Sequence, residues 1–183
     1  MSAFIGLKVQ LRALTLEDAE LLHRLNGVDS EGERFYDQIQ LPLPLADFKK
    51  NLEGNLKIDT DSDVRNFAIE TLDGKFAGEI CCFDCNRRHS WFRCGFYILP
   101  EFRRRGLVQE AIDLILDFYF NELNYQKCNN YVYSINAASE QLHLKLGFVL
   151  EGRITNSYFT QGHYEDILYL GLSRDNYNKK KGR

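Results

Sequence analysis

The chain has 183 residues, 44% of them apolar and 27% charged, with a formal net charge of −3 at neutral pH. This composition excludes a disordered chain, and the length suits one domain with a sizeable core. The slight acidic excess counts against a dedicated nucleic-acid binder, and no apolar run approaches the roughly 18 residues of a membrane span.

The opening residues, MSAFIGLKVQLRAL, lack the charged and apolar segments of a secretion signal, so a cytoplasmic protein is expected. LKVQLRAL (7–14) alternates apolar and polar residues and predicts a strand. Thr15, with Asp18 three residues on, forms an imperfect capping box. The helix it opens should run to about Leu25 and stop near Asn26-Gly27. Residues 28–44 are expected to be irregular, because two prolines in LPLPL (41–45) exclude a helix or a central strand. ADFKKNLEGNL predicts a short amphipathic helix.

FAIE (67–70) and FAGEICCFD (76–84) flank Asp73-Gly74, a hairpin signal. CCFDC (81–85) holds one Cys-x-x-Cys, but a structural zinc site needs a second pair, which is missing. Cys81, Cys82, Cys85, Cys94 and Cys128 therefore read as packing residues in a reducing compartment, and no metal site is expected. The turn NRRH (86–89) leads into an aromatic strand (91–98). Next comes the clearest helix, with Leu107, Ala111, Leu114, Ile115 and Phe118 on one face. Glu110, Asp113, Asp117 and Asn121 lie opposite. CNNYVYSI (128–135) predicts a strand. Asn136 can cap a helix carrying Ala138, Leu142 and Leu146, which Gly147 stops. FVLEGRI and DILYLGL supply the last two strands, and Lys179–Arg183 reads as a frayed end. The order is βαα–βββ–α–β–α–ββ: an α/β or α+β fold, expected as a single domain over residues 1–183.

PEFRRRGLVQEA (100–111) joins the aromatic strand to the long helix. Pro100 ends the strand's ladder, and the helix start presents unpaired N–H groups with partial positive charge. Gly106 permits close approach of a ligand, and Arg103, Arg104 and Arg105 add charge. This chemistry fits a pyrophosphate. Neither G-x-x-x-x-G-K-[ST] nor G-x-G-x-x-G occurs, which argues against a P-loop or a Rossmann site. Taken in isolation, the arginines read more simply as a solvated turn.

This stretch and the segments C-terminal to it resemble the GCN5-related N-acetyltransferases (GNAT). That family carries [QR]-x-x-G-x-[GA] between a strand and a helix, matched here by Arg103 and Gly106, with Val108 departing from the pattern. NAASEQLHLKLGF (136–148) is similar to its N-x-x-[AS]…LGF segment. The tail, with GF, EGR and G-x-Y-x-D in order, resembles the branch that acetylates ribosomal-protein N-termini (the RimJ/RimL type). The resemblance is strong over residues 66–172 and vague over 7–60. It implies a mixed, mostly antiparallel sheet of about seven strands with helices on both faces and the fourth and fifth strands splayed.

It further implies acetyl-CoA as cofactor. Backbone atoms of Phe96, Tyr97 and Ile98 would face the pantetheine arm, and Arg103–Val108, including Leu107, would cradle the pyrophosphate. Asn136 and Ser139 would flank the arm. Acetyl transfer to an amine needs a base for the amine, a donor for the thioester oxygen and an acid for the thiolate. A strand N–H near Tyr97 suits the oxygen. Ser139 is the first choice for the acid. His143, where the family often has a tyrosine, is the second, and it reads as an exposed helix residue. The branch's usual glutamate is replaced by Arg93, which cannot act as a base; Glu79 is the candidate instead, and a water chain or deprotonation of the amine before binding is the alternative to a side-chain base. The acceptor site is expected among residues 28–45 and Tyr158–Tyr164. Asp29, Glu31, Glu33 and Asp37, with Phe35 and Tyr36, would attract a cationic amine: a peptide N-terminus, a polyamine or an aminoglycoside. Nucleic-acid and membrane partners are not expected, and the oligomeric state is left as monomer or homodimer. A catalytically silent acyl-CoA-binding module is the alternative.

Overall fold

A computed structural model of the protein describes residues 3–25, 41–57 and 61–183. Among them are strands β1 (Val9–Ala13), β2 (Arg65–Thr71), β3 (Phe76–Asn86), β4 (Trp91–Ile98), β5 (Lys127–Tyr133), β6 (Val149–Thr160) and β7 (His163–Ser173). The helices are α1 (Ala19–Leu25), α2 (Leu45–Asn55), α3 (Leu107–Asn121), α4 (Ala137–Leu146) and α5 (Arg174–Lys181). The strands are hydrogen-bonded in the order β1-β2-β3-β4-β5-β7-β6. β4 and β5 run parallel, while β1–β2, β2–β3, β5–β7 and β6–β7 are antiparallel. This is the mixed α/β fold that the order of elements and the family resemblance imply. The chain forms two compact units, one within Met1–Phe83 and Gly95–Leu114, the other within Asp84–Cys94 and Ile115–Arg183.

In the first unit, Leu14, Ala19, Leu22, Leu52, Ala68, Phe76 and Leu99 form a buried cluster, with Phe48, Tyr97 and Phe102 packed on it. Thr15 and Asp18 behave as predicted: the Thr15 amide donates to the Asp18 carboxylate at 2.9 Å. A short 3-10 turn, Leu16–Asp18, precedes α1. The predicted helix stop at Asn26-Gly27 lies outside the described residues. Arg12 bridges Asp18 (2.7 Å) and Glu70 (2.7 Å). Burial pushes the Asp18 carboxyl up, but hydrogen bonds from Arg12 and Thr15 outweigh it and hold the group below the usual range. Arg12 and then Gln10 lower Glu70 likewise.

A carboxyl lowered in the folded state contributes stability above its unfolded pKa, near 4, and loses it as pH falls through the folded value. Asp18→Asn should therefore cost about 1–3 kcal/mol at pH 7, and less at pH 3, which lies below the unfolded pKa, so the contribution of the charge is diminished. Urea unfolding at the two pH values measures the gap. An equal gap at both would show that the Asp18 charge contributes nothing.

In the second unit the Phe92 ring stacks on Tyr119 (centroids 4.6 Å) and meets Phe120 and Tyr125 edge-on. The buried residues of α3 are Leu107, Ala111 and Ile112 in the first unit and Ile115, Leu116, Tyr119 and Phe120 in the second. Leu114 and Phe118, predicted on the helix's apolar stripe, are only half-buried. The stripe is shifted because aromatic and isoleucine side chains outcompete them for the core. The frayed end is also corrected. Ser173 caps α5 by accepting from the Asn176 amide, and Tyr177, 2% exposed, anchors it on Phe120. Lys179–Lys181 sit in its last turn, where cations suit the helix dipole. In α4 the inward residues are His143 and Leu146, while Ala138 faces out and Leu142 is half-buried.

Candidate active site

The loop PEFRRRG folds as a 3-10 turn, Pro100–Phe102, an extended Arg103 and two left-handed residues, Arg104 (φ 60°) and Gly106 (φ 76°). The first intrahelical bond of α3 is Glu110 N to Gly106 O, 3.2 Å. The amides of Leu107, Val108 and Gln109 thus have no partner within the helix, and Gly106 is exposed beside them. This is an anion-binding geometry.

The arginines divide their roles. Arg103 turns back onto its own strand, donating through Nε to the Ile98 carbonyl (3.2 Å) and through Nη2 to the Tyr97 hydroxyl (3.4 Å). The Ile98 carbonyl is therefore already engaged. Arg104 is exposed, and the Arg105 guanidinium lies 5.4 Å over the Phe102 ring. Val108, the departure from the family pattern, is half-buried in the first turn of α3.

Two residues that sequence reasoning missed hold this loop. Lys8 Nζ donates to the Arg105 carbonyl (3.2 Å) and lies 3.1 Å from where a Gly106 Cβ would stand. Glu110 accepts from the amides of Leu7 (2.9 Å), Lys8 (2.7 Å) and Val9 (2.9 Å). No local pattern could reveal them, since about a hundred residues separate the partners.

On β3, Gly78 lies against the Tyr97 carbonyl, and a Cβ there would come within 2.1 Å of that oxygen. Only glycine lets the backbones approach this closely. Glu79 is directly opposite Ala68 on β2 and shares its sheet face, that of the α1 and α2 cluster. Its side chain is half-buried, and burial raises its carboxyl above the usual range. Its carboxyl makes no ion pair or hydrogen bond among the described residues. A carboxyl raised by desolvation without a compensating cation has the physical profile of a proton acceptor for chemistry near neutral pH.

In the second unit the β4–β5 ladder has two pairs, Trp91↔Lys127 and Phe92↔Cys128. The Cys94 amide instead donates to the side chain of Asn130, Oδ1, at 3.0 Å. A side-chain amide takes the place of a backbone rung, so the strands part as the resemblance implies. Asn136 caps α4, its Oδ1 accepting from the Ser139 amide at 3.0 Å. Ser139 is half-buried.

His143, predicted exposed, is 2% exposed. Its ring meets Phe148 edge-on, Nε2 faces Asn130 Nδ2 (3.0 Å), and Nδ1 faces the Ser139 carbonyl (2.8 Å). Burial lowers its pKa, opposed by the bond to Ser139. A buried polar partner, Asn130, faces it, which the line of Ala138, Leu142 and Leu146 read from helical spacing does not reveal. Arg93 extends over the Tyr131 ring (5.1 Å) and reaches Asp84 (3.4 Å).

Of the expected acceptor residues, Asp29, Glu31, Glu33, Phe35, Tyr36 and Asp37 lie outside the described residues. In the second segment, Tyr158 stacks on Tyr133 at 3.8 Å, while Phe159 (59%) and Tyr164 (61%) are exposed. Cys82, Cys94 and Cys128 are buried, and all five cysteines are free thiols. Among the described residues no cluster of His, Cys, Asp and Glu is arranged to hold a metal ion, and no helix is long and apolar enough to cross a membrane.

Residues 8–149 match the acetyltransferase (GNAT) domain family. The chain is 34% identical over 177 residues to the SPbeta prophage-derived uncharacterized N-acetyltransferase YokL of Bacillus subtilis, covering 97% of this chain and 96% of that protein. It is 27% identical over 171 residues to the spermidine N(1)-acetyltransferase of Escherichia coli, covering 92% and 88%. Its fold matches that of spermidine N-acetyltransferase from Vibrio cholerae in complex with CoA and spermine, with a TM-score of 0.81 and 24% identity over 94% of this chain and 99% of that one. The chain belongs to the GNAT acetyltransferase family: it is an N-acetyltransferase, and acetyl-CoA is that family's acyl donor.

Proposed function

We propose that the protein acetylates a primary amine, with a polyamine as the favoured acceptor and Glu79 as the group that takes the amine's proton. The observation that carries this reading is the Glu79 carboxyl, half-buried and with no cation paired to it among the described residues. It offers an ammonium group both attraction and a proton acceptor. The 27% identity to a spermidine acetyltransferase over nearly the whole chain supports the polyamine class.

The amides of Leu107–Gln109, with Lys8, Arg104 and Arg105, suit the cofactor's pyrophosphate. Acetyl-CoA supplies the thioester acyl group. The amine nitrogen bonds to the acyl carbon, its proton passes to Glu79, the carbon–sulfur bond breaks, and the Ser139 hydroxyl donates a hydrogen bond that stabilises the departing thiolate. A backbone N–H near Tyr97 would stabilise the charge that builds on the carbonyl oxygen. Tyr97 is held by Arg103 on its hydroxyl and by Gly78 against its carbonyl.

A pool of spermidine, spermine, aminoglycosides and peptides, incubated with acetyl-CoA and read by mass, tests the proposal. Acetylated polyamine should dominate. The tail's likeness to the ribosomal-protein branch makes a peptide N-terminus the second acceptor to score. Measurable acetyl-CoA binding with no product from any amine would replace the proposal with a silent acyl-CoA-binding module.

A further inference from the structure

We infer that Asn130 is a positioning residue for acetyl transfer, fixing His143 as one neutral tautomer so that the Ser139 hydroxyl stays free to donate a hydrogen bond to the departing thiolate. This rests on the acetyltransferase reading above and assigns the work of the acid between its two candidates.

The assignment follows from groups that can play only one part in a hydrogen bond. The Cys94 backbone N–H can only donate, and it meets Asn130 Oδ1 at 3.0 Å. The Asn130 amide is thereby oriented, and Nδ2, which can only donate, faces His143 Nε2 at 3.0 Å. Nε2 must therefore accept and carries no hydrogen. The ring proton sits on Nδ1, which meets the Ser139 carbonyl, an acceptor, at 2.8 Å. Every link from Cys94 to Ser139 is satisfied in one direction only.

Ser139 Oγ lies 3.4 Å from the same Nδ1. Because Nδ1 is protonated, it cannot accept the Ser139 hydroxyl hydrogen; Oγ can only receive a weak share of the N–H. The hydroxyl hydrogen is thus directed away from the ring. His143 itself is removed from contention as the acid, since both its nitrogens are engaged and its ring is buried. Among the described residues, the cluster includes the titratable thiols of Cys94 and Cys128, whose sulfurs are 3.9 Å apart. Asn130 Nδ2 also lies 3.4 Å from Cys94 Sγ.

Reversing one link gives the test. In Asn130→Asp, a carboxylate oxygen faces Nε2 and calls the ring proton there. Nδ1 then gains a lone pair that captures the Ser139 hydroxyl. Protonating the ring restores the Nδ1 proton and releases the hydroxyl. The variant should therefore show a new ionisation in kcat, active on its acid side and falling about 10-fold on its alkaline side. Its KM for acetyl-CoA should stay within about 2-fold, because the pyrophosphate contacts are untouched.

The tautomer is read without any turnover by nitrogen-15 NMR of a variant with His23, His89 and His163 all changed to Gln, which leaves His143 as the only histidine. A neutral Nδ1–H ring through neutral pH supports the inference, and an Nε2–H ring overturns it even if the enzyme acetylates amines. With the expected tautomer, an unchanged pH profile and kcat in Asn130→Asp also overturn it and leave the acetyltransferase reading intact. If Asn130→Asp does not fold, the NMR measurement still decides. A wild type that binds acetyl-CoA but acetylates no amine removes both, and the turnover assay alone reports that.

Discussion

Gly106→Asp should weaken acetyl-CoA binding by at least about 100-fold, equivalent to roughly 2.7 kcal/mol, in calorimetric titration with CoA. Three effects act together. Gly106 has φ 76°, a conformation that costs an L-residue about 1–2 kcal/mol. A Cβ there meets Lys8 Nζ at 3.1 Å, so the new side chain has little room on that side. The carboxylate also places its charge beside the unpaired amides of Leu107–Gln109, where it competes with the pyrophosphate. Gly106→Ala carries the strain without the charge and should lose only about 10-fold, or roughly 1.4 kcal/mol. If Gly106→Asp binds CoA as the wild type does, the cradle lies elsewhere.

Glu79→Gln should reduce kcat/KM for the amine by about 100-fold or more, the scale expected of a lost general base. The wild-type rate should rise with pH as the Glu79 carboxyl loses its proton. Burial raises that carboxyl, so the rise should fall above the ordinary carboxylate range. In Glu79→Gln that limb should vanish. Stability should move the other way. A carboxyl raised on folding binds more protons in the native state, so its ionisation costs stability as pH rises past the unfolded value near 4.5. Glu79→Gln should therefore be at least as stable as wild type at pH 7 by thermal melting. A loss of activity accompanied by a gain in stability separates a chemical role from a packing role. An unchanged kcat/KM would end the case for Glu79 as the base.

The parts of the site that were legible in the sequence are those whose causes are local. Pro100 and Gly106 bracket the loop, Asn136 caps α4 through its own fourth residue, and Asp18 returns to Thr15. Each depends on neighbours within a few positions, which a pattern can encode. The family resemblance added which of these would meet a cofactor. What escaped was non-local. His143 lies off the line of Ala138, Leu142 and Leu146 that spacing marks on α4, and its burial follows from non-local partners, above all Asn130, thirteen residues away on β5. The α3 stripe was displaced for the same reason, since Ile112 and Tyr119 meet partners that spacing along one helix does not reveal. Helix α5 was missed because its sequence, RDNYNKKK, carries one apolar anchor, Tyr177. Its cap at Ser173 and its terminal lysines were the available signals.

The clamp between Glu110 and the amides of residues 7–9 has a consequence for how the binding loop comes into being. Its hydrogen bonds close spans of 101–103 residues. Chain closure over such a distance carries an entropic penalty and comes late compared with the local contacts of a helix. The turn proposed to hold the pyrophosphate is therefore not a motif that forms by itself once Arg103–Glu110 are made. It reaches its final shape when the first strand docks, so competence to bind is a property that the chain acquires near the end of folding.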